Sequence, residues 1–148
     1  NKNYKVEIIL RKNLDILIAK KIKKEILKKI KIINLTDVSV KKTIDYYKSL
    51  DLLYAMRGHH QLIAAGLCIP FYSIISHDKI KFFVDDNNLN KYSADVNDLN
   101  FKKKILNFSK SESNIFKIKN KLDEIIKKNF KITVKNSSSI KKFLNKLN

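Results

Sequence analysis

A chain of 148 residues with an apolar fraction of 44% has the length of one domain and can bury roughly two-thirds of the surface its unfolded form exposes. Its single cysteine excludes an internal disulfide and suits a reducing, cytoplasmic setting; no run approaches the roughly 18 uninterrupted apolar residues of a membrane-spanning helix. The formal net charge is +18, yet of the 32 basic residues only Arg11 and Arg57 are arginine, so a nucleic-acid reader, which relies on arginine for bidentate contacts, is not expected. Lysine here accompanies abundant Asn and Ile, the pattern an AT-rich genome imposes. If the basic surface is functional, anionic lipid or an acidic polysaccharide is as good a partner as nucleic acid. No signal peptide is visible and the first residue is Asn, so the chain reads as a piece of a longer protein.

In chain order, Tyr4 to Leu10 reads as a strand from the alternation of Val6, Ile8 and Leu10. Leu14, Leu17, Ile18, Ile22, Ile26, Leu27 and Ile30 recur three or four apart, which predicts an amphipathic helix with a lysine-covered wet face. Lys31 to Leu35 is a short β-branched strand, and Val40 to Leu50 a helix. Leu52 to Met56 is a compact apolar strand leading into Arg57-Gly58-His59. His59 to Ala65 favours a helix that Gly66 would end, and Pro70 to Ile75 is another nearly all-apolar strand. Ile80 to Val84 reads as a short helix, and the Asn- and Asp-rich segment from Asp85 to Asp98 as loop. Phe101 to Phe108 and Ser111 to Lys128 read as helices, Phe130 to Val134 as a last short strand, and Ser137 or Ser138 as the cap of a closing helix carrying Ile140, Phe143, Leu144 and Leu147. Strands without polar alternation, separated by helices, predict an α/β fold: a single Rossmann-like three-layer sandwich over residues 1–148 with a mostly parallel sheet.

The unusual residues crowd into one stretch, Tyr54 to Lys79. It holds both glycines, all three histidines, and the only cysteine, proline and methionine. In an open parallel sheet, ligands bind beyond the carboxyl ends of the strands, where the following helices begin. Arg57, Gly58 and His59 fall at such a turn: Arg57 offers a planar charge for phosphate or carboxylate, Gly58 lets the backbone turn tightly or approach a ligand closely, and His59 brings an imidazole suited to proton transfer. The next strand ends in Ser76-His77-Asp78-Lys79, which puts His77 and Lys79 on the same edge if the two strands are neighbours. Other chemistries fit poorly. Adjacent His59 and His60 diverge on a helix and give no zinc spacing, consecutive Ser76-His77-Asp78 cannot adopt triad geometry, and two glycines cannot build a phosphate loop. Cys68 reads as core, and Asp85 and Asp86 as turn or cap residues.

The order of apolar strand, Met-Arg-Gly-His-His-Gln-Leu-Ile, Gly-Leu-Cys-Ile-Pro, apolar strand, Ser-His-Asp-Lys and Phe-Phe-Val-Asp-Asp resembles the C-terminal half of the polysaccharide pyruvyl transferase family. Arg57, His59, Pro70 and Lys79 match its Arg-x-His turn, the proline opening the next strand and the lysine soon after; the resemblance covers about residues 50–98. It implies a two-domain fold similar to the GT-B glycosyltransferases, with transfer of a pyruvyl group from phosphoenolpyruvate to a sugar hydroxyl in cell-surface polysaccharide biosynthesis. It further implies that Arg57 holds the phosphate or carboxylate of the donor and His59 acts as general acid. Gly58, His60, His77 and Lys79 would contact substrate, without metal or cofactor. Such an enzyme would act in the cytoplasm or peripherally at the inner face of the membrane, on a sugar or lipid-linked oligosaccharide. The chain is too short to hold the family's N-terminal domain, so the resemblance implies half of a cleft and an isolated chain that is inactive or very weak. Two further readings are a glycosyltransferase domain using a nucleotide sugar and a non-catalytic basic module for anionic polymer or membrane.

Overall fold

The computed structural model of the chain describes residues 5–10, Lys20 and residues 31–144, without the side chains of Glu112 and residues 142–144. Backbone contacts divide the chain into two compact units, Asn1–Tyr46 and Tyr47–Asn148. In the first, the β-branched runs form strands β1 (Glu7–Leu10) and β2 (Lys31–Asn34). They pair in parallel, Ile8 opposite Ile32 and Ile9 opposite Ile33, and the Leu35 amide extends the ladder by donating to the Leu10 carbonyl at 2.9 Å. Parallel neighbours need a crossover of a dozen or more residues. The helix expected from Leu14 to Ile30 falls in this connection and, apart from helical Lys20, outside the described residues. Tyr46 donates to Glu7 Oε2 at 2.6 Å and Lys5 Nζ lies 2.9 Å from Oε1; these partners hold the Glu7 carboxyl below its ordinary range.

Helix α1 (Val40–Lys48) runs up to and across the division between the units. The second unit continues with β3 (Leu53–Ala55), α2 (Gly58–Gly66), β4 (Phe71–Ile75), α3 (Asp78–Asp86), a 3-10 turn at Asn90–Tyr92, β5 (Ser93–Asp95), α4 (Phe101–Ser109) and α5 (Glu112–Leu144). Strands β3, β4 and β5 lie side by side in that order, all parallel. The chain is therefore α/β with parallel pairing throughout the described strands, though these strands form a pair and a triplet instead of one sheet.

Alternation along the strands sends Leu53, Ala55, Phe71 and Ser73 to one face of the triplet and Tyr54 and Tyr72 to the other. Right-handed crossovers between consecutive parallel strands put α2 and α3 on the same face; they touch each other, and α5 packs on α2. Phe71 stacks toward Phe83 of α3, ring centres 6.4 Å apart. The opposite face is covered by α4, whose Phe108 sits 4.7 Å from the Tyr72 ring and 6.4 Å from Tyr54. Three layers result: α4, the sheet, and the helices α2 and α3 backed by α5. Phe71, Ile80, Val84, Leu89, Ile118 and Leu122 have essentially no exposed surface and form the core of this arrangement.

The far ends of α2 and α3 close alike. Gly66, expected to stop α2, is its last helical residue. The left-handed position falls instead on Cys68, with φ 53°, and in α3 on Asn88, also φ 53°. Cys68 and Ile69 amides donate back to Ala65 and Ala64, and Asn88 and Leu89 amides to Asp85 and Val84. Both ends are thus Schellman closures, each with buried apolar residues at the paired positions, Ala64 with Ile69 and Val84 with Leu89. Asn tolerates a left-handed backbone; a residue with an ordinary Cβ, such as Cys68, is strained there.

Four sequence expectations are corrected here. The segment from Asp85 to Asp98 is not loop: it holds the end of α3, the 3-10 turn and β5. Ser93, Ala94 and Asp95 have no β-branched or aromatic side chain, so their strand comes from pairing with β4 and from the Tyr72 hydroxyl, which donates to Ser93 O at 2.8 Å. Phe130 to Val134 is no strand, and the separate closing helix does not exist; both belong to the 33-residue α5. Its β-branched and hydroxyl residues stay helical because Thr133, Ser138 and Ser139 hydroxyls bond back to the carbonyls four residues earlier, and no Gly or Pro follows Pro70 to break it. Cys68 is not core either. It is half-buried, and its thiol donates to Asp123 Oδ1 at 3.0 Å, which raises its pKa.

Two outcomes are expected. Cys68→Gly will unfold at a higher urea midpoint than Cys68→Ala, by about 1 kcal/mol, because both lack the thiol and only alanine keeps the strained φ; equal midpoints would show an unstrained backbone. Tyr72 is 2% exposed, and burial, with Tyr54 and Asp98 acting in the same direction, pushes its phenol up to about 12. The unfolded chain loses that proton near pH 10 while the folded chain keeps it, so stability falls between about pH 10 and 12. In urea titrations across this window, Tyr72→Phe will show a shallower decline than the wild type.

Candidate functional site

Parallel pairing of β3, β4 and β5 collects three strand ends on one edge: Met56-Arg57-Gly58, Ser76-His77-Asp78 and Asp95-Val96-Asn97. They are stitched together, Ser76 Oγ donating to Met56 O at 3.4 Å and the Val96 amide to Ile75 O at 3.0 Å. The first two ends open directly into helices. Arg57 is the N-cap of α2 and His77 the N-cap of α3; both are extended, at φ −113° and −168°. The Arg57 carbonyl accepts from the His60 and Gln61 amides, and the His77 carbonyl from the Ile80 and Lys81 amides.

These two caps oppose the ordinary rule. N-caps are usually Ser, Thr, Asp or Asn, whose side chains bond the first free amides, and cations are disfavoured beside the positive end of the helix dipole. Here an arginine and a histidine hold the positions, and neither makes a capping hydrogen bond through its side chain. The first turn of α2 has no acidic residue and carries His59, while that of α3 carries Lys79 beside Asp78. Arg57, His59, His77 and Lys79 are all exposed. Local stability is poorly served by stacking cations on two helix N-termini; an arriving anion is well served by it.

Of the residues the sequence nominates, Arg57, Gly58, His59, His77 and Lys79 share this edge. His60 does not. One position further round α2 it turns inward, 8% exposed, with its ring edge-on to Tyr47 at 6.0 Å. Gly58 has no positive φ, and a Cβ there would meet nothing within 4 Å, so the turn itself does not demand glycine. The open space above the backbone is what its missing side chain provides.

Gln61 and the third strand end carry no local signal in the sequence. Gln61 is fully buried, and its Nε2 donates to Ala55 O, the last residue of β3, at 3.0 Å. This ties the first turn of α2 to the strand and fixes the Arg57–His59 turn between them. Its Oε1 and the Ser73 hydroxyl are buried without a hydrogen-bond partner among the described residues, and Ser73 pairs with Ala55 in the ladder, so polar groups lie immediately behind the edge. The β5 end adds acids. Asp95 accepts from the Asn97 amide at 2.8 Å, while Asp98 is engaged by Lys104 and the Asn100 amide, which hold its carboxyl below the usual range. Asp98 thus secures the entry to α4. Among the described residues no group of three or more His, Cys, Asp or Glu side chains gathers as a metal site would.

No protein-family model, no curated protein and no solved structure matches the chain.

Inorganic phosphate titrated into the chain will shift the amide resonances of Gly58, His59, Asp78 and Lys79 together. Arg57→Ala will weaken that binding about tenfold or more. Gly58→Ala will leave the unfolding midpoint unchanged or higher, and will weaken phosphate if the anion sits against the backbone. Shifts confined to distant lysines would remove the edge as an anion site.

Proposed function

We propose that the edge formed by Arg57, Gly58, His59, His77 and Lys79 binds phosphoenolpyruvate, and that the chain is the donor-binding part of a transferase that places a pyruvyl group on a sugar hydroxyl. The observation that supports this most is that two adjacent parallel helices each open with a basic side chain, Arg57 at α2 and Lys79 at α3. Phosphoenolpyruvate carries two anionic groups on one small carbon frame, a phosphate and a carboxylate. Two helix N-termini, each with its own cation, suit a ligand with two anionic ends better than a ligand with one. The resemblance of residues 50–98 to the pyruvyl transferases, with their GT-B-like architecture, supplies the reaction.

In this reading Arg57 and the opening amides of α2 hold one anionic group, and His77, Lys79 and the start of α3 hold the other. His59 protonates the methylene carbon, which becomes a methyl group, and C2 becomes electrophilic. A sugar hydroxyl attacks C2 and gives up its proton. The C–O bond to phosphate then breaks, phosphate leaves, and a second hydroxyl of the same sugar closes the ketal with loss of its proton. Phosphoenolpyruvate and the diol thus give the ketal and inorganic phosphate. Because His60 is packed against Tyr47, it enters this scheme only by seating α2. The acceptor would be a sugar or lipid-linked oligosaccharide, met at the cytoplasmic side of a membrane.

Calorimetric titration of the chain with phosphoenolpyruvate and with nucleotide sugars separates the donors; phosphoenolpyruvate is expected to bind the tighter, with Arg57→Ala weakening it ten- to a hundredfold. In the full-length protein, His59→Ala is expected to slow phosphate release from phosphoenolpyruvate in the presence of sugar acceptors by about a hundredfold or more, with little change in KM. Tighter binding of nucleotide sugars would replace pyruvyl transfer by glycosyl transfer. Phosphate release indifferent to Arg57 and His59 would end the proposal.

A further inference from the structure

The distal part of α5 is the least explained piece of the second unit. At 1.5 Å per residue the 33-residue helix is about 50 Å long, but its buried side chains, Ile118, Leu122 and Ile125, all fall in the proximal part. From Lys127 to Lys141 every residue is exposed. Apolar side chains nevertheless continue: Phe130 is 68% exposed, Val134 51% and Ile140 60%. At 3.6 residues per turn these three share one side of the helix with Thr133 and Ser137, while Lys128, Lys131 and Lys135 take the other, where Ile132 also stands. Phe130 also borders a shallow hollow of about 280 Å³ shared with Leu62, Phe83 and Ile126, and Leu62 is itself more than half exposed. The apolar stripe therefore runs from α5 onto α2.

Charge selects what covers this stripe. All 14 Asp and Glu residues precede Ile125, whereas the segment from Ile125 to Asn148 carries seven lysines. A second copy docked through the stripe beyond Ile125 would bring two acid-free, lysine-rich helix ends together, with no acid in either end to neutralise them. A nucleic acid would satisfy the lysines and leave Phe130, Val134 and Ile140 in water. An anionic bilayer satisfies both, taking the apolar side into the headgroup–acyl boundary and the lysines at the headgroups. Lys141, on the apolar side, has a stem long enough to bring its ammonium back to the headgroups. None of the helices among the described residues is long and apolar enough to cross a membrane, so the helix would lie in the surface.

We infer that α5 beyond Lys127 is an in-plane anchor that holds the protein on an anionic lipid surface through Phe130, Val134 and Ile140. The anchor is independent of the chemistry at the strand-end edge. The test is flotation of the whole chain with phosphatidylcholine vesicles, with and without about a third phosphatidylserine. The wild type is expected to float with the anionic vesicles at least tenfold better than with the neutral ones. The double variant Val134→Ser, Ile140→Ser, at exposed positions that leave the fold intact by circular dichroism, will lose tenfold or more. Lys131→Gln and Lys135→Gln will each lose about fivefold, on anionic vesicles only. Flotation unaffected by the serine pair, or equal on both lipids, overturns the anchor. So does a concentration-dependent dimer in sedimentation that the serine pair abolishes while vesicles go unbound, and so does retention by single-stranded RNA without retention by vesicles.

Discussion

Parallel pairing is the constraint from which the second unit follows. Two parallel neighbours cannot be joined by a tight turn, so each strand must be carried back by a helix before the next begins. With β3, β4 and β5 in sequential order, both returns fall on the same face, and α2 and α3 are forced side by side with their N-termini at one edge. That edge then receives three strand ends, two helix starts and the polar residues of the strand-to-helix turns. The location of a candidate site is thus a consequence of topology, and the residues placed there decide only what it does.

The two ends of α2 and α3 are built in opposite ways. At the C-terminal ends, Schellman closures with Ala64, Ile69, Val84 and Leu89 satisfy the last carbonyls and lock the chain into the core. At the N-terminal ends, Arg57 and His77 sit where a serine or aspartate would stabilise the helix. A pair of sites that breaks the same local rule at the same edge, within helices otherwise well formed, points to a demand other than stability. Gln61 makes the conflict tolerable: its bond to Ala55 O clamps the first turn of α2 to β3 from beneath, so the turn does not depend on its own cap.

What the sequence reveals of this unit depends on whether local pattern and tertiary environment agree. They agree for β3, β4, α2, α3 and α4, which are short apolar runs and amphipathic segments bounded by polar turns. The neighbouring ends of β3 and β4, with Arg57, His59, His77 and Lys79 on them, could therefore be anticipated. They disagree at Ser93-Ala94-Asp95, where small polar residues become a strand only because the β4 edge and the Tyr72 hydroxyl are waiting. They disagree again at Phe130–Val134, where strand-like residues find no strand to pair with and the helix arriving from Glu112 continues through them. His59 and His60 show the same limit at single-residue scale. Adjacent in sequence and equal in chemistry, they part because a helix rotates about 100° per residue, and only the position of Tyr47 shows which of them is inside.

The lysine content is the feature that composition alone cannot interpret, and placement resolves it into two kinds. Charges more than about 10 Å apart in physiological salt are largely screened from each other, so a net +18 spread over the surface is a weak statement about any one partner. Most lysines of the chain have acids within a few residues, as Lys104 has Asp98 and Lys121 has Glu124, and such mixtures project little field. Beyond Ile125 there is no acid at all, and Lys127, Lys128, Lys131, Lys135 and Lys141 lie along one helix, so their fields add. A compositional bias toward lysine explains how many there are. It does not explain why the acid-free end of α5 keeps its other side apolar, with Phe130, Val134 and Ile140 exposed there.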